Sequence, residues 1–170
     1  MEGVESKRIT MGFDDCPPCI EAAKESDAVK IAALYKRVWD EYCGKFPTEL
    51  VRARQPSAEQ MRKWMRLDTY FVAKEGSRII GVMGCSLKHG TCLLMHMVVD
   101  KRDRKRGIGS ALTKKAIDYA RENGAIKVWL DTTPRLKEAM ALYEKHGFVR
   151  RGHLRKHYWG EDIYLYELML

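Results

Sequence analysis

At 170 residues, with 45% hydrophobic and 32% charged positions, the chain fits one globular domain and excludes a disordered or low-complexity polymer. Lysine and arginine number 31 against 23 aspartates and glutamates, and the resulting +8 favours polyanionic partners such as nucleic acid or the phosphates of nucleotides and coenzymes. The opening MEGVESKRITMG lacks the apolar core of a secretion signal and the longest apolar stretch, CLLMHMVV, is too short to span a bilayer, so the expectation is a soluble, cytoplasmic protein with no membrane partner.

Residues 1–19 read as an N-terminal extension carrying CPPC, and residues 20–170 as the folded domain. The Cys16 and Cys19 spacing suits a redox pair or half of a zinc site, but no second CxxC or paired histidine motif completes four ligands, and the other reading is a rigid Pro-Pro turn. Cys43, Cys85 and Cys92 sit in apolar or mixed surroundings and are expected to pack as reduced thiols, which suits a reducing compartment.

CIEAA (19–23) predicts a short strand, and Asp27 is placed to cap a helix whose Ile31, Leu34, Tyr35, Val38, Trp39 and Tyr42 recur at helical spacing. Residues 43–57 read as a loop that leads through Pro56 and Ser57 into a second helix, AEQMRKWMRL. YFVAKEGSRIIGVMGCSL predicts a hairpin turning near Gly76, and TCLLMHMVV (91–99) a strand covered on both faces. After the basic run DKRDRKR, Ile108, Ala111, Leu112, Ala116, Tyr119 and Ala120 form a helical stripe that Asn123 and Gly124 end. IKVWLD (126–131) is a buried strand, so residues 91–131 predict a strand, helix, strand unit with parallel pairing. A last helix is expected to open with Thr133 as cap and Pro134 in its first turn, to carry Leu136, Ala139, Met140 and Tyr143, and to close at Gly147. FVRRGHL and DIYLYELML then pair antiparallel around YWGE.

The stretch RDRKRGIGSAL places a glycine-rich turn between a buried strand and a helix, where backbone N–H groups point outward at the positive end of the helix and form an anion nest. Gly107 and Gly109 remove side chains that would block a pyrophosphate, and Arg104, Lys105 and Arg106 add charge. Leu112 stands where the dinucleotide pattern G-x-G-x-x-G/A needs a small residue, and no G-x-x-x-x-G-K-S/T exists.

VVDKRDRKRGIGSAL resembles the acetyl-coenzyme A signature R/Q-x-x-G-x-G/A of the GNAT superfamily of N-acetyltransferases, with Arg104, Gly107 and Gly109 at its positions. AMALYEKHGF (139–148) is similar to the family's A-x-x-L-Y-E-x-x-G-F. The resemblance implies an α/β GNAT fold for residues 20–170, a mixed and largely antiparallel central sheet of about six to seven strands with helices on both faces. It further implies that the main chain of Met97, Val98 and Val99 pairs with the pantetheine arm of acetyl-coenzyme A, the cosubstrate, and that Lys105, Arg106, Gly107, Ile108, Gly109 and Ser110 hold its pyrophosphate.

By the same resemblance Tyr143 matches the tyrosine that protonates the departing thiolate; spacing alone favours an aromatic on the helix stripe. A neutral amine must attack the thioester, so a base is required; Asp131 matches the position of a catalytic glutamate in the ribosomal-protein N-terminal acetyltransferases of the family and, being shorter, would act through water, and His96 is the other candidate. Asp131 could instead organise the turn TTP, and His96 could face the core. Where many family members carry an asparagine at the start of the last helix this chain has Leu136, which leaves Arg135 as an alternative phosphate or substrate contact. Trp39, Tyr42, Glu49 and Arg52 are acceptor-site candidates from the first two helices and their connection. The expected activity is direct, metal-free transfer of acetyl to an amine, small molecule or protein, by a monomer or a homodimer. The competing readings are a basic nucleic-acid-binding module, for which no sequence-specific readout motif is present, and a non-catalytic coenzyme A binder.

Overall fold

A computed structural model describes residues 18–170. Cys16, and with it the metal or redox reading of CPPC, lies outside the described residues, while Cys19, expected in the extension, opens β1 (Cys19–Ala22). There follow α1 (Ala28–Asp40), α2 (Thr48–Ala53), α3 (Ala58–Leu67), β2 (Thr69–Glu75), β3 (Arg78–Lys88), β4 (Thr91–Val99), α4 (Ile108–Glu122), β5 (Lys127–Thr132), α5 (Lys137–Lys145), β6 (Val149–Tyr158) and β7 (Glu161–Met169). The described strands form one seven-stranded sheet in the order β1-β2-β3-β4-β5-β7-β6. Only β4 and β5 pair in parallel, joined by the α4 crossover that the sequence pattern predicts.

Period-two alternation sends side chains to two separate cores. Tyr70 and Val72 of β2 pack under α1 and α3 with Ile31, Leu34, Tyr35 and Met61, whereas Phe71 and Ala73 face α4 with Ile108, Leu112 and Ala116. A sheet buried on both faces explains why β3 and β4 read as nearly unbroken apolar runs. Burial of each large aliphatic side chain on these stripes contributes roughly 1.5–3 kcal/mol. Among the described residues, no helix is long and apolar enough to cross a membrane.

Four local expectations are corrected. Asp27 precedes α1, but its carboxylate accepts from the Lys24 backbone N–H at 2.9 Å and from Lys74 Nζ at 3.1 Å, and does not bond the helix it was expected to cap. Ser57 does cap α3, accepting from the Gln60 N–H at 3.1 Å. The 43–57 loop contains α2, six residues after Pro47 that bury only Leu50 and Val51, too few for a periodicity to show. Helix α5 starts at Lys137 rather than in the Thr133-Pro134 step, because residues 133–136 close a turn through the Leu136 N–H to the Thr133 carbonyl at 3.1 Å. Cys43 is exposed, and among the described cysteines Cys85 and Cys92 are the buried thiols.

Candidate functional site

The functional geometry begins with a bulge. Along β4 the register against β3 slips between Val82 and Gly84, so His96 and Met97 together oppose Met83, and His96 takes φ 57°. On its other side β4 pairs with β5 only over residues 91–94, after which β5 continues alone and pairs Asp131 and Thr132 with Leu165 and Tyr164 of β7. The two parallel strands therefore part like a V, and the β5-facing backbone edge of residues 95–99 has no strand partner. Such an edge accepts an extended ligand arm by the hydrogen bonding of an added strand.

Below the V lies a groove of 620 Å³ lined by Met97, Val98, Val99, Arg104, Lys105, Gly107, Ile108, Gly109 and Ser110, together with Arg135 to Ala139, Leu142 and Lys145 around α5. Gly107 precedes α4 with φ 78°, a left-handed conformation that a side chain would strain, and Lys105 also has positive φ, 62°. At Gly109 a Cβ would stand 3.2 Å from Leu142 Cδ2 and close the groove between α4 and α5. Ser110 shares a 2.8 Å hydrogen bond between its hydroxyl and His146 Nε2.

The charge expected around this nest is distributed differently. Arg104 lines the groove, but its two terminal nitrogens each sit 3.1 Å from the Glu41 carboxylate. Arg106 does not line it at all: it bonds Asp103 at 2.6 Å and Glu75 at 2.7 Å. Asp100 takes Arg37 and Arg102, which hold its carboxyl well below the usual carboxylate range against the opposing effect of burial. Much of the basic run thus clamps its own loop, because the fold brings carboxylates from the end of α1 and from β2 that are remote in sequence. Lys105, Lys137 and Lys145 line the groove with no carboxylate within 4.0 Å among the described residues.

A second cavity of 260 Å³ opens on the other side of the V. Both spaces are lined by Trp39, Met97, Leu136 and Ala139, which marks the place where they meet. Tyr143 and Asp131, predicted separately, come together in this second cavity with His96. Tyr143 is buried, its ring edge-on to Phe148 at 5.8 Å, and burial and then the Asp131 charge push its phenol far above the ordinary 10. His96 stacks on Trp64 at 4.7 Å, lies 3.2 Å from the Tyr70 hydroxyl through Nδ1, and is pulled from 6.5 down to about 4 by burial and then by Arg54.

The model of the acetyltransferase (GNAT) family matches residues 31–148. The chain belongs to that family. A GNAT acetyltransferase from Streptococcus pneumoniae shares the fold with TM-score 0.77 and 24% identity, covering 89% of this chain and 98% of that one. N-acetyltransferase 8 of Homo sapiens is 33% identical over 89 residues, 49% of this chain and 39% of that protein. N-alpha-acetyltransferase 30 of Schizosaccharomyces pombe is 33% identical over 104 residues, 58% of this chain and 69% of that protein. The GNAT chain thus matches well under half the length of the human relative.

Of the residues expected from the first helices, Trp39 and Tyr42 line these spaces, whereas Glu49 and Arg52 line neither. Arg135 lines the groove while it ion-pairs Glu161 at 3.0 Å and lies 5.3 Å over the Phe46 ring, so it also ties the 43–47 segment to β7. Sequence reasoning missed Lys137, Lys145, Arg54, Trp64 and Tyr158. The first two follow from placing α5 beside the glycine turn, and the others carry no local signal. Among the described residues no cluster of three or more His, Cys, Asp or Glu is gathered as a metal site requires.

Proposed function

We propose that this GNAT protein transfers acetyl from acetyl-coenzyme A to a primary amine by direct attack on the thioester. The observation that carries the reading is the meeting of two spaces at Trp39, Met97, Leu136 and Ala139, one bordered by a glycine nest and an unpaired strand edge, the other holding Tyr143 and Asp131. The groove residues fit the coenzyme: the main chain of Met97, Val98 and Val99 binds the pantetheine arm, and Lys105 and residues 107–110 with Lys137 and Lys145 take the phosphates.

Asp131 receives, through water, the proton that an alkylammonium must lose before its nitrogen can attack. His96 is a wall of the cavity in this assignment, since its ring stacks on Trp64 at 4.7 Å and its Nδ1 lies 3.2 Å from the Tyr70 hydroxyl. The new C–N bond forms as the C–S bond breaks. Tyr143 keeps its proton at every ordinary pH and donates it to the departing sulfur, then recovers one from the nitrogen, which becomes an amide. One proton leaves to solvent through Asp131 and one remains on the thiol.

The pairing of Arg102, Arg104 and Arg106 with carboxylates speaks against a nucleic-acid module, which needs those cations for phosphates. Residence in a reducing compartment, the cytoplasm, belongs to the same proposal and is supported by the buried free thiols Cys85 and Cys92. Calorimetry with acetyl-coenzyme A, followed by thiol release on a panel of amines, tests the reading. Micromolar or tighter binding and amine-dependent release are expected; a folded protein that binds no acetyl-coenzyme A overturns it.

A further inference from the structure

The second cavity contains more than an amine site needs. Among the described residues, Asp131 and Arg54 are the only charged ones that line it. Arg54 sits half-buried at the end of α2, and its guanidinium has no carboxylate within 4.0 Å among the described residues. Arg104 and Arg135, which line the neighbouring groove, are each neutralised by a glutamate. A guanidinium drawn partly out of water in a cavity also lined by Trp39, Trp64 and Tyr158 loses hydration that an anion would offset, and no carboxylate of the described residues comes close enough to pair with it.

The two opposite charges line one small cavity. Tyr158 lies within electrostatic reach of both, Asp131 raising its phenol after burial and Arg54 lowering it. The cavity, at 260 Å³, falls below the about 300 Å³ at which sites for drug-sized ligands begin.

We infer, resting on the acetyltransferase reading above, that the acceptor is a small primary amine bearing a carboxylate and an apolar body, a hydrophobic α-amino acid being its simplest form. Its ammonium faces Asp131, its carboxylate pairs with Arg54, and its apolar group lies against Trp39 and Trp64. The chemistry is the acetyl transfer already balanced: the amine nitrogen gains acetyl, the thiol leaves, and the carboxylate takes no part except to orient. A polyamine is rejected because its second cation would meet Arg54.

The test compares phenylalanine and leucine with phenethylamine and isoamylamine, the same molecules without the carboxylate, and adds spermidine and a peptide with aspartate as its second residue. Thiol release should favour the amino acids by about tenfold or more in kcat/KM, chiefly through KM, as expected for a charge-assisted pair. Arg54→Gln should reduce that ratio about tenfold to a hundredfold, and Arg54→Lys should restore part of it. Calorimetry with acetyl-coenzyme A comes first, because failure there removes the acetyltransferase reading itself. Coenzyme binding together with equal or better release on phenethylamine, spermidine or the peptide removes this inference alone. So does an Arg54→Gln variant that is folded by its melting temperature and keeps the wild-type ratio. If Arg54→Gln does not fold, the wild-type ratios decide.

Discussion

The groove and the cavity on either side of the parted strands are built by different means. Half of the groove lining comes from one contiguous stretch, residues 97–110, and that stretch offers mainly backbone: an unpaired strand edge, a left-handed glycine and the start of α4. The cavity takes side chains from α1, α2, α3, β4, β5, α5, β6 and β7 and offers aromatic rings, one carboxylate and one guanidinium. A backbone site tolerates varied side chains but demands particular residues where the chain must bend or approach closely. A side-chain site has no such local demand and depends on elements far apart in sequence.

Substitutions should therefore separate cleanly, groove changes acting on coenzyme affinity and cavity changes on turnover or acceptor choice. The largest effect is expected from Tyr143→Phe, which keeps the ring against Phe148 and removes the donated proton. Its kcat should fall about 10² to 10⁴, with KM for acetyl-coenzyme A nearly unchanged. Single-turnover rates across pH are the measurement, and a wild-type rate would return Tyr143 to packing alone.

Gly109→Glu puts both a carbon 3.2 Å from Leu142 and a negative charge into the phosphate nest. Acetyl-coenzyme A affinity should drop about a hundredfold or more, and the rise in melting temperature that the ligand causes should vanish. An undiminished thermal shift would move the phosphate site elsewhere.

A sharper division lies inside the basic run. Lys105→Ala removes an unneutralised charge from the groove and should weaken acetyl-coenzyme A about three- to tenfold, increasingly so at low salt. Arg106→Ala should leave affinity almost alone and instead destabilise the fold slightly, since it takes one of two arginines from the buried Asp103. Titration calorimetry and denaturant melts of both variants check the pair, and a larger affinity loss in Arg106→Ala would break the distinction.

The smallest effect is a pH slope. His96 is neutral in the folded cavity down to about 4, while the unfolded imidazole titrates near 6.5. Between those values the unfolded chain binds more protons, so stability from this group is intact above 6.5 and declines as pH falls toward about 4. His96→Gln should flatten the dependence of melting temperature on pH in that window. An unaltered slope would place the titration at another group.

Sheet, crossover and coenzyme loop were legible because each leaves a short-range mark. The runs at β3 and β4 are apolar because both faces are covered, the α4 stripe repeats at helical spacing, and Gly107 satisfies a φ of 78°. Tyr143 and Asp131 were legible through a resemblance attached to their neighbours, but their meeting in one cavity follows only from β5 leaving β4 after Leu130.

By itself the sequence determined a two-faced sheet with a glycine turn at the start of α4, because period, turn chemistry and glycine φ are properties of neighbouring residues. The tertiary structure alone decided which charges are available. Glu41, Glu75 and Asp103 neutralise Arg104 and Arg106, while Arg54 has no carboxylate partner among the described residues and lines an aromatic cavity. Coulomb interactions act through space over a few ångströms, and chain position holds no record of which carboxylate folding will bring that near.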